Sequence, residues 1–300
     1  MSFYFKSEAI GSALKNILNT ICHEKYKYQT NNISITWVNY KANSKAGYGY
    51  GINNYKKVYP ASIVKLVYGL AMYIWIKDKK LIYDESLHDA ILKMLKISSN
   101  DATSLIVDLL TGTTSGPSLE GAILNQWIYH REIINEWLKN LKWKELEGFN
   151  CCQKTWEESP YGREKDFYGT FNENRNVMTT DGVARIMEEI MQNIKFSEDN
   201  INLKNCLRRD LDQQSLKKDP NNQIIGFLGE GLPASTLLWS KAGWMSEVRN
   251  DTAWWINENQ NKTLLAVFTE GKEFANDNLF LPALSKAIYE YNQKNYINPL

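Results

Sequence analysis

Three short groups of residues carry the chemistry that can be read in this sequence. Tyr59-Pro60-Ala61-Ser62-Ile63-Val64-Lys65 places a serine and a lysine three residues apart, just after a proline. On a helix that spacing puts both side chains on one face. Pro60 and Ala61 suit a helix start, so Ser62 is expected at a helix N-terminus, where backbone N–H groups and the dipole favour negative charge. A desolvated lysine loses its proton near neutral pH and can activate a serine hydroxyl. Ser62 and Lys65 therefore read as a nucleophile with its own base. Spacing alone is not specific, since Ser12 to Lys15 and Ser215 to Lys218 repeat it. What singles out Ser62 is the company downstream: Ser98-Ser99-Asn100, then Lys241-Ala242-Gly243. Taken singly, each has an ordinary structural use, Asn100 capping a helix at Ala102 and Lys241 being a solvated strand residue.

These groups need elements to position them. Residues 7–28 carry apolar residues at helical spacing, and Ile33 to Tyr40 is β-branched and aromatic, which predicts a strand. Gly47 to Gly51 lacks the Gly-x-Gly-x-x-Gly spacing of a phosphate loop and is expected to be a second strand. Ala61 to Ile76 is apolar on most sides, as a buried helix would be. Further helices are predicted over 86–95, 102–110, 122–141, 182–191 and 203–214. Residues 144–178 keep no period and read as a long irregular stretch, either functional or disordered. Strands return over 237–244, 251–257 and 264–268, and a helix over 278–293 closes the chain. The expected fold class is α+β: an antiparallel five-stranded sheet flanked by terminal helices, with an inserted all-helical domain. Residues 1–58 with 235–300 would form the sheet domain and 59–234 the helical one, with the site in the cleft between them.

Composition narrows the function. The 300 residues are 43% hydrophobic and 23% charged, ordinary for a globular protein. The net charge of +1 argues against a nucleic-acid partner. No apolar run reaches the length of a membrane span. The N-terminus lacks an export signal, so the chain is expected to be cytoplasmic or exported with its signal removed. Cys22, Cys151, Cys152 and Cys206 show no metal-ligand spacing and read as free thiols. His23, His88 and His130 are scattered, with no His-Glu-x-x-His and no Gly-x-Ser-x-Gly elbow. No metal or cofactor is called for; the expected partner is a small-molecule substrate, and oligomeric state leaves no mark in the sequence.

The ordered set Ser62-x-x-Lys65, Ser98-Ser99-Asn100 and Lys241-Ala242-Gly243 resembles the penicillin-binding and serine β-lactamase superfamily, class A in particular. The resemblance spans nearly the whole chain. It implies that Ser62 attacks an amide or ester carbonyl, Lys65 accepts its proton, and Ser98 relays a proton to the leaving group. Asn100 would hold Lys65 and the substrate amide. Lys241 would attract a substrate carboxylate and support Ser98. The N–H groups of Ser62 and Trp244, beside Gly243, would form the oxyanion hole, and Arg249 would contact the substrate carboxylate. There are departures. Ala242 replaces the hydroxyl residue of the family's Lys-Thr/Ser-Gly, and the Glu-x-x-Leu-Asn context of the family's deacylation glutamate is missing. Glu157, Glu158 and Glu164 lie in the loop; Glu164, nearest to Thr179 along the chain, is the expected candidate. The resemblance implies a serine hydrolase forming an acyl-enzyme. The alternatives are a D,D-peptidase-like or esterase-like enzyme without efficient β-lactam hydrolysis, and a non-catalytic binding protein on the same fold.

Overall fold

A computed structural model describes residues 2–22, 30–194, 202–219 and 222–295. In chain order the strands are β1 (Phe5–Lys6), β2 (Ile33–Tyr40), β3 (Gly47–Ile52), β4 (Arg208–Arg209), β5 (Leu237–Met245), β6 (Val248–Ile256) and β7 (Lys262–Thr269). They form one sheet in the order β1-β3-β2-β7-β6-β5-β4. The five expected strands are its centre and are antiparallel. Two short edge strands raise the count from five to seven; β1 pairs parallel to β3, and β4 pairs antiparallel to β5.

Successive side chains of a strand point to opposite faces, and the central strands bury both. Ile33, Ile35, Trp37, Trp255, Leu265 and Val267 face one core with helix α1 (Glu8–Ile21) and the C-terminal helix. Val38, Tyr40, Trp254, Leu264, Ala266 and Phe268 face the other, larger core. That core is made by α2 (Lys65–Lys77), α3 (Glu85–Lys96), α4 (Asn100–Thr111) and α8 (Thr180–Glu188). Eleven of the thirteen residues of α2 are buried, which is why its sequence is apolar nearly all round.

The remaining helices are α5 (Gly121–Arg131), α6 (Ile133–Asn140), α7 (Arg163–Tyr168), α9 (Leu203–Leu207), α10 (Gln213–Lys218), α11 (Lys272–Ala275) and α12 (Phe280–Asn295). The single helix expected over 122–141 is two, broken at Glu132, where the neighbouring Arg131 turns fully inside. The helix expected over 203–214 is interrupted by β4. His23 and the end of the first predicted helix lie outside the described residues.

β4 matters to the site because Arg209 is buried there. Its guanidinium donates to the carbonyls of Leu95 (3.0 Å) and Lys96 (2.5 Å) at the end of α3, and of Ser240 (2.9 Å) on β5. These bonds tie the end of α3, and hence Ser98, to the strand carrying Lys241. Arg209→Met would remove the guanidinium from all three carbonyls at once. We expect it to destabilise the protein by about 3 kcal/mol, read as a lowered melting temperature by calorimetry; an unchanged melting temperature would contradict this role.

Candidate active site

Ser62 lies in a 3-10 turn over Ala61–Val64, and α2 begins only at Lys65. The expected α-helical N-terminus at Ser62 is therefore a tighter turn. The Lys65 N–H reaches Ser62 O, and residues three apart eclipse in such a turn, so Ser62 and Lys65 still share a face. Two contacts fix the turn. Asn250 donates Nδ2 to Tyr59 O (3.1 Å) and accepts from Thr269 N (3.0 Å). Gly243 lies so close that a Cβ there would stand 2.6 Å from Pro60 O and 3.0 Å from Ser62 N. Only glycine lets β5 approach the nucleophile's backbone this closely. The other two Ser-x-x-Lys tetrads sit on exposed faces of α1 and α10.

Lys65 is fully buried. Its Nζ donates to Ser98 O (2.6 Å), Ser98 Oγ (3.1 Å) and Asn100 Oδ1 (2.7 Å). Burial pulls its pKa down to about 7, against the opposing pull of the Glu157 carboxylate. Lys241, also fully buried, donates to Ser98 Oγ (2.9 Å), Gln223 Oε1 (2.8 Å) and Ala242 O (2.7 Å). Desolvation, then the positive charges of Lys65 and Arg209, push its pKa well below the usual lysine value. Beneath it Asp251 is buried and raised to about 6 by desolvation. Ser98 thus receives both lysines. Its φ of 62° is the left-handed turn that ends a helix, a place usually given to glycine. Serine there keeps a hydroxyl between two amines. Ser99 caps α4, its Oγ accepting from Ala102 N (3.1 Å), which leaves the Asn100 side chain for the site.

Asn100 also links the site to the long loop. Its Oδ1 accepts from Thr155 Oγ1 (2.7 Å), and its Nδ2 donates to Glu157 Oε1 (2.8 Å). Glu157, on an exposed stretch, is therefore the loop carboxylate placed at the site. Glu164, the candidate chosen by distance along the chain, lies elsewhere. It is fully buried, bonded to Arg131 (2.6 Å) and Ser115 (2.8 Å), with Lys154 at 3.5 Å. Its carboxylate neutralises buried cations and is a structural group. Glu158 is exposed and accepts from Tyr161.

Arg249 sits opposite Trp244 across β5 and β6 and is nearly buried. It donates to Ala275 O (3.1 Å) and Gly226 O (3.2 Å) and lies against the rings of Phe227 and Trp244. Trp244 turns its indole N–H to Ala275 O (2.8 Å). Ser62, Ser98, Gln223, Gly243, Trp244 and Arg249 line one cleft of about 660 Å³. Gln223 and Thr155 had no signal in the sequence, since neither belongs to a motif. Among the described residues no cluster of His, Cys, Asp and Glu could hold a metal, and no helix is long and apolar enough to cross a membrane. A buried amine with a lowered pKa, a serine on the same face of the turn, a second hydroxyl between two amines and a nearby carboxylate are groups that can together form and cleave an acyl-serine.

The family model described as the beta-lactamase enzyme family matches residues 84–292. That match covers Ser98, Asn100 and Lys241 but begins after Ser62 and Lys65. The fold is similar to that of PBP-A, with a TM-score of 0.62 and 14% identity over 97% of this chain and 98% of the other. It is similar to a PBP-A variant held as an acyl-enzyme complex with penicillin G, with a TM-score of 0.61 and 14% identity over 95% and 97%. It is also similar to a class A β-lactamase from Bacteroides cellulosilyticus, with a TM-score of 0.62 and 16% identity over 95% and 98%. A search of curated protein sequences found no match.

The two carboxylates should behave oppositely on mutation. Glu164→Ala leaves Arg131 and Lys154 short of a buried counter-charge and should cost about 3–5 kcal/mol of stability. Glu157→Gln, exposed, should stay within about 0.5 kcal/mol of the parent. Thermal unfolding of the two variants checks this, and equal losses would refute the assignment.

Proposed function

The chain belongs to the beta-lactamase enzyme family, and from that premise we propose that it is a serine hydrolase. It would acylate Ser62 with a β-lactam or a related amide or ester and release the product with water. One observation carries the reading: three residues after Ser62 the Lys65 amine is fully buried against Ser98 Oγ and Asn100 Oδ1, with no carboxylate among the described residues bonded to it, and that burial pulls its pKa down to about 7, towards free base at neutral pH. In this reading the site lies between a sheet domain (1–58 with 235–300) and a helical domain (59–234).

The steps follow from the positions. Lys65 Nζ takes the Ser62 proton as Oγ bonds to the carbonyl carbon. The oxygen that gains charge would sit between the N–H groups of Ser62 and Trp244, in the oxyanion role. Collapse breaks the carbonyl carbon's bond to the leaving nitrogen or oxygen. That atom takes a proton from Ser98 Oγ, which recovers one from the lysines bonded to it. Water then attacks the acyl-serine; Glu157 accepts the water's proton, and as the bond from the carbonyl carbon to Ser62 Oγ breaks that oxygen takes a proton from Glu157, which returns the site to its starting state. No metal or cofactor enters the scheme.

A second reading keeps acylation but lacks fast β-lactam hydrolysis, as in a D,D-peptidase-like or esterase-like enzyme. Ala242, which offers no hydroxyl to a substrate carboxylate, favours it. The third reading, a non-catalytic binding protein, predicts that no acyl-serine forms.

Intact mass after incubation with benzylpenicillin or p-nitrophenyl acetate separates the three. We expect an adduct on the parent and none on Ser62→Ala. Rapid decay of the penicillin adduct means hydrolysis, persistence means the second reading, and no adduct from either probe means the third. Because the folded pKa of Lys65 is lowered, its free base is lost as pH falls. Acylation should therefore drop about tenfold per unit below about 7 and level off above it. A flat profile from pH 5.5 to 8 would exclude Lys65 as the base. Glu157→Gln should slow adduct decay by about a hundredfold, while a parent-like decay would remove Glu157 from the water step.

A further inference from the structure

Gln223 does something in the cleft that no motif accounts for. It follows Asn222, whose Oδ1 accepts from Ile224 N (2.8 Å) and Ile225 N (2.9 Å) and so pins the turn. Gln223 itself has a φ of 48°, a backbone shape that glutamine rarely adopts. Its Nε2 donates to Lys96 O (3.1 Å), which fixes the orientation of the amide. Its Oε1 consequently faces β5, where it accepts from Lys241 Nζ (2.8 Å) and from Ala242 N (3.3 Å).

Lys241 has three hydrogens at most. Its partners are Ser98 Oγ, Ala242 O and Gln223 Oε1, so none is left for a ligand. The other cation of the inner wall, Arg249, spends two of its five N–H groups on Ala275 O and Gly226 O, so Lys241 is the cation whose donors are all engaged. At the rim, Lys217 and Asp219 bring opposite charges. The Lys241 donors with which an acidic substrate group would pair are therefore met by neutral oxygens of the protein.

We propose that Gln223 is a specificity-determining residue that occupies the anion subsite of the cleft, so that the site selects acyl donors carrying no carboxylate there. The substrate class is an uncharged ester, thioester or amide. This inference rests on the reading of Ser62 as an acylated nucleophile. A carboxylated substrate must displace the Gln223 amide, breaking its bonds to Lys96 O, Lys241 and the Ala242 N–H, whereas a neutral one binds beside it. Buried polar groups left unpaired are what make such discrimination steep.

The probes are benzylpenicillin and its methyl ester, which differ in the carboxylate, with p-nitrophenyl acetate as a check on Ser62. The readout is the ratio of acylation rate constants, penicillin over its methyl ester, from intact mass. The parent should favour the ester. Gln223→Ala should raise the ratio at least about tenfold, by freeing Lys241 and the Ala242 N–H. Gln223→Glu, nearly isosteric and able to keep the bond to Lys241, should lower it below that of the parent. The second variant decides the matter if the first fails to fold. A ratio that is the same in the parent and the folded variants overturns the inference while leaving Ser62 a nucleophile. Failure of all three probes to label Ser62 overturns the proposed function and this inference with it.

Discussion

Two lysine side chains share one hydroxyl, and much of the surrounding structure follows from that. Lys65 and Lys241, both fully buried, reach Ser98 Oγ at 3.1 and 2.9 Å. Two ammonium groups this close in a medium of low dielectric repel strongly, so one gives up its proton. Hydrogen counting agrees. Each lysine has two obligate carbonyl acceptors besides Ser98 Oγ, which a neutral amine satisfies with its two hydrogens. Its lone pair is then left for a hydroxyl hydrogen. Ser98 has one hydrogen to give, so it donates to one lysine and accepts from the other. In the proposed reaction the trio would relay a proton, its direction reversing when the proton moves.

Holding such a group requires a rigid frame, and the frame is built from neutral backbone oxygens rather than counter-ions. Arg209 is surrounded by carbonyls, and burial lowers its pKa to about 10. The long loop is fixed in a similar way by amide side chains standing in for strand partners. Asn176 bonds both the N–H and the carbonyl of Gln153, and Asn135 accepts from Cys151 N. Its buried charges Lys154 and Glu164 pair with each other, with Arg131 of α5 and with Asp108 of α4. An aperiodic sequence can thus be ordered, because its hydrogen bonds run between side chain and backbone and leave no periodic trace.

What the sequence made legible follows the same logic. β2 and β5 to β7 were visible because central strands are written in β-branched and aromatic residues. β1 and β4, two residues each, carry no pattern. The break at Glu132 has neither proline nor glycine, and the apolar period runs through it, so 122–141 read as one helix. Ser62, Lys65, Ser98, Asn100 and Lys241 were found because their types and order are specific, and the structure brings the last four into hydrogen-bonding contact. Glu164 and Glu157 could not be told apart by position. The difference lies in Arg131, Ser115 and Lys154 around one and Asn100 beside the other, which are contacts between distant parts of the chain. Gln223 could not be found at all, since its role depends on a backbone turn.

Strain marks the same region. Ala61, Ser98 and Gln223 have φ of 47°, 62° and 48°, though none is glycine. A left-handed residue with a Cβ costs about 1–2 kcal/mol, and it persists only where neighbours over-determine it. Each of the three is so held: Ala61 by Gly243 pressing on the turn, Ser98 by both lysines, and Gln223 by Lys96 O and Lys241. Glycine would remove the strain at all three. At Ser98 and Gln223 it would also remove the oxygen that meets Lys241. At Ser98 and Gln223 the strain is therefore the cost of placing two side-chain oxygens on one buried amine.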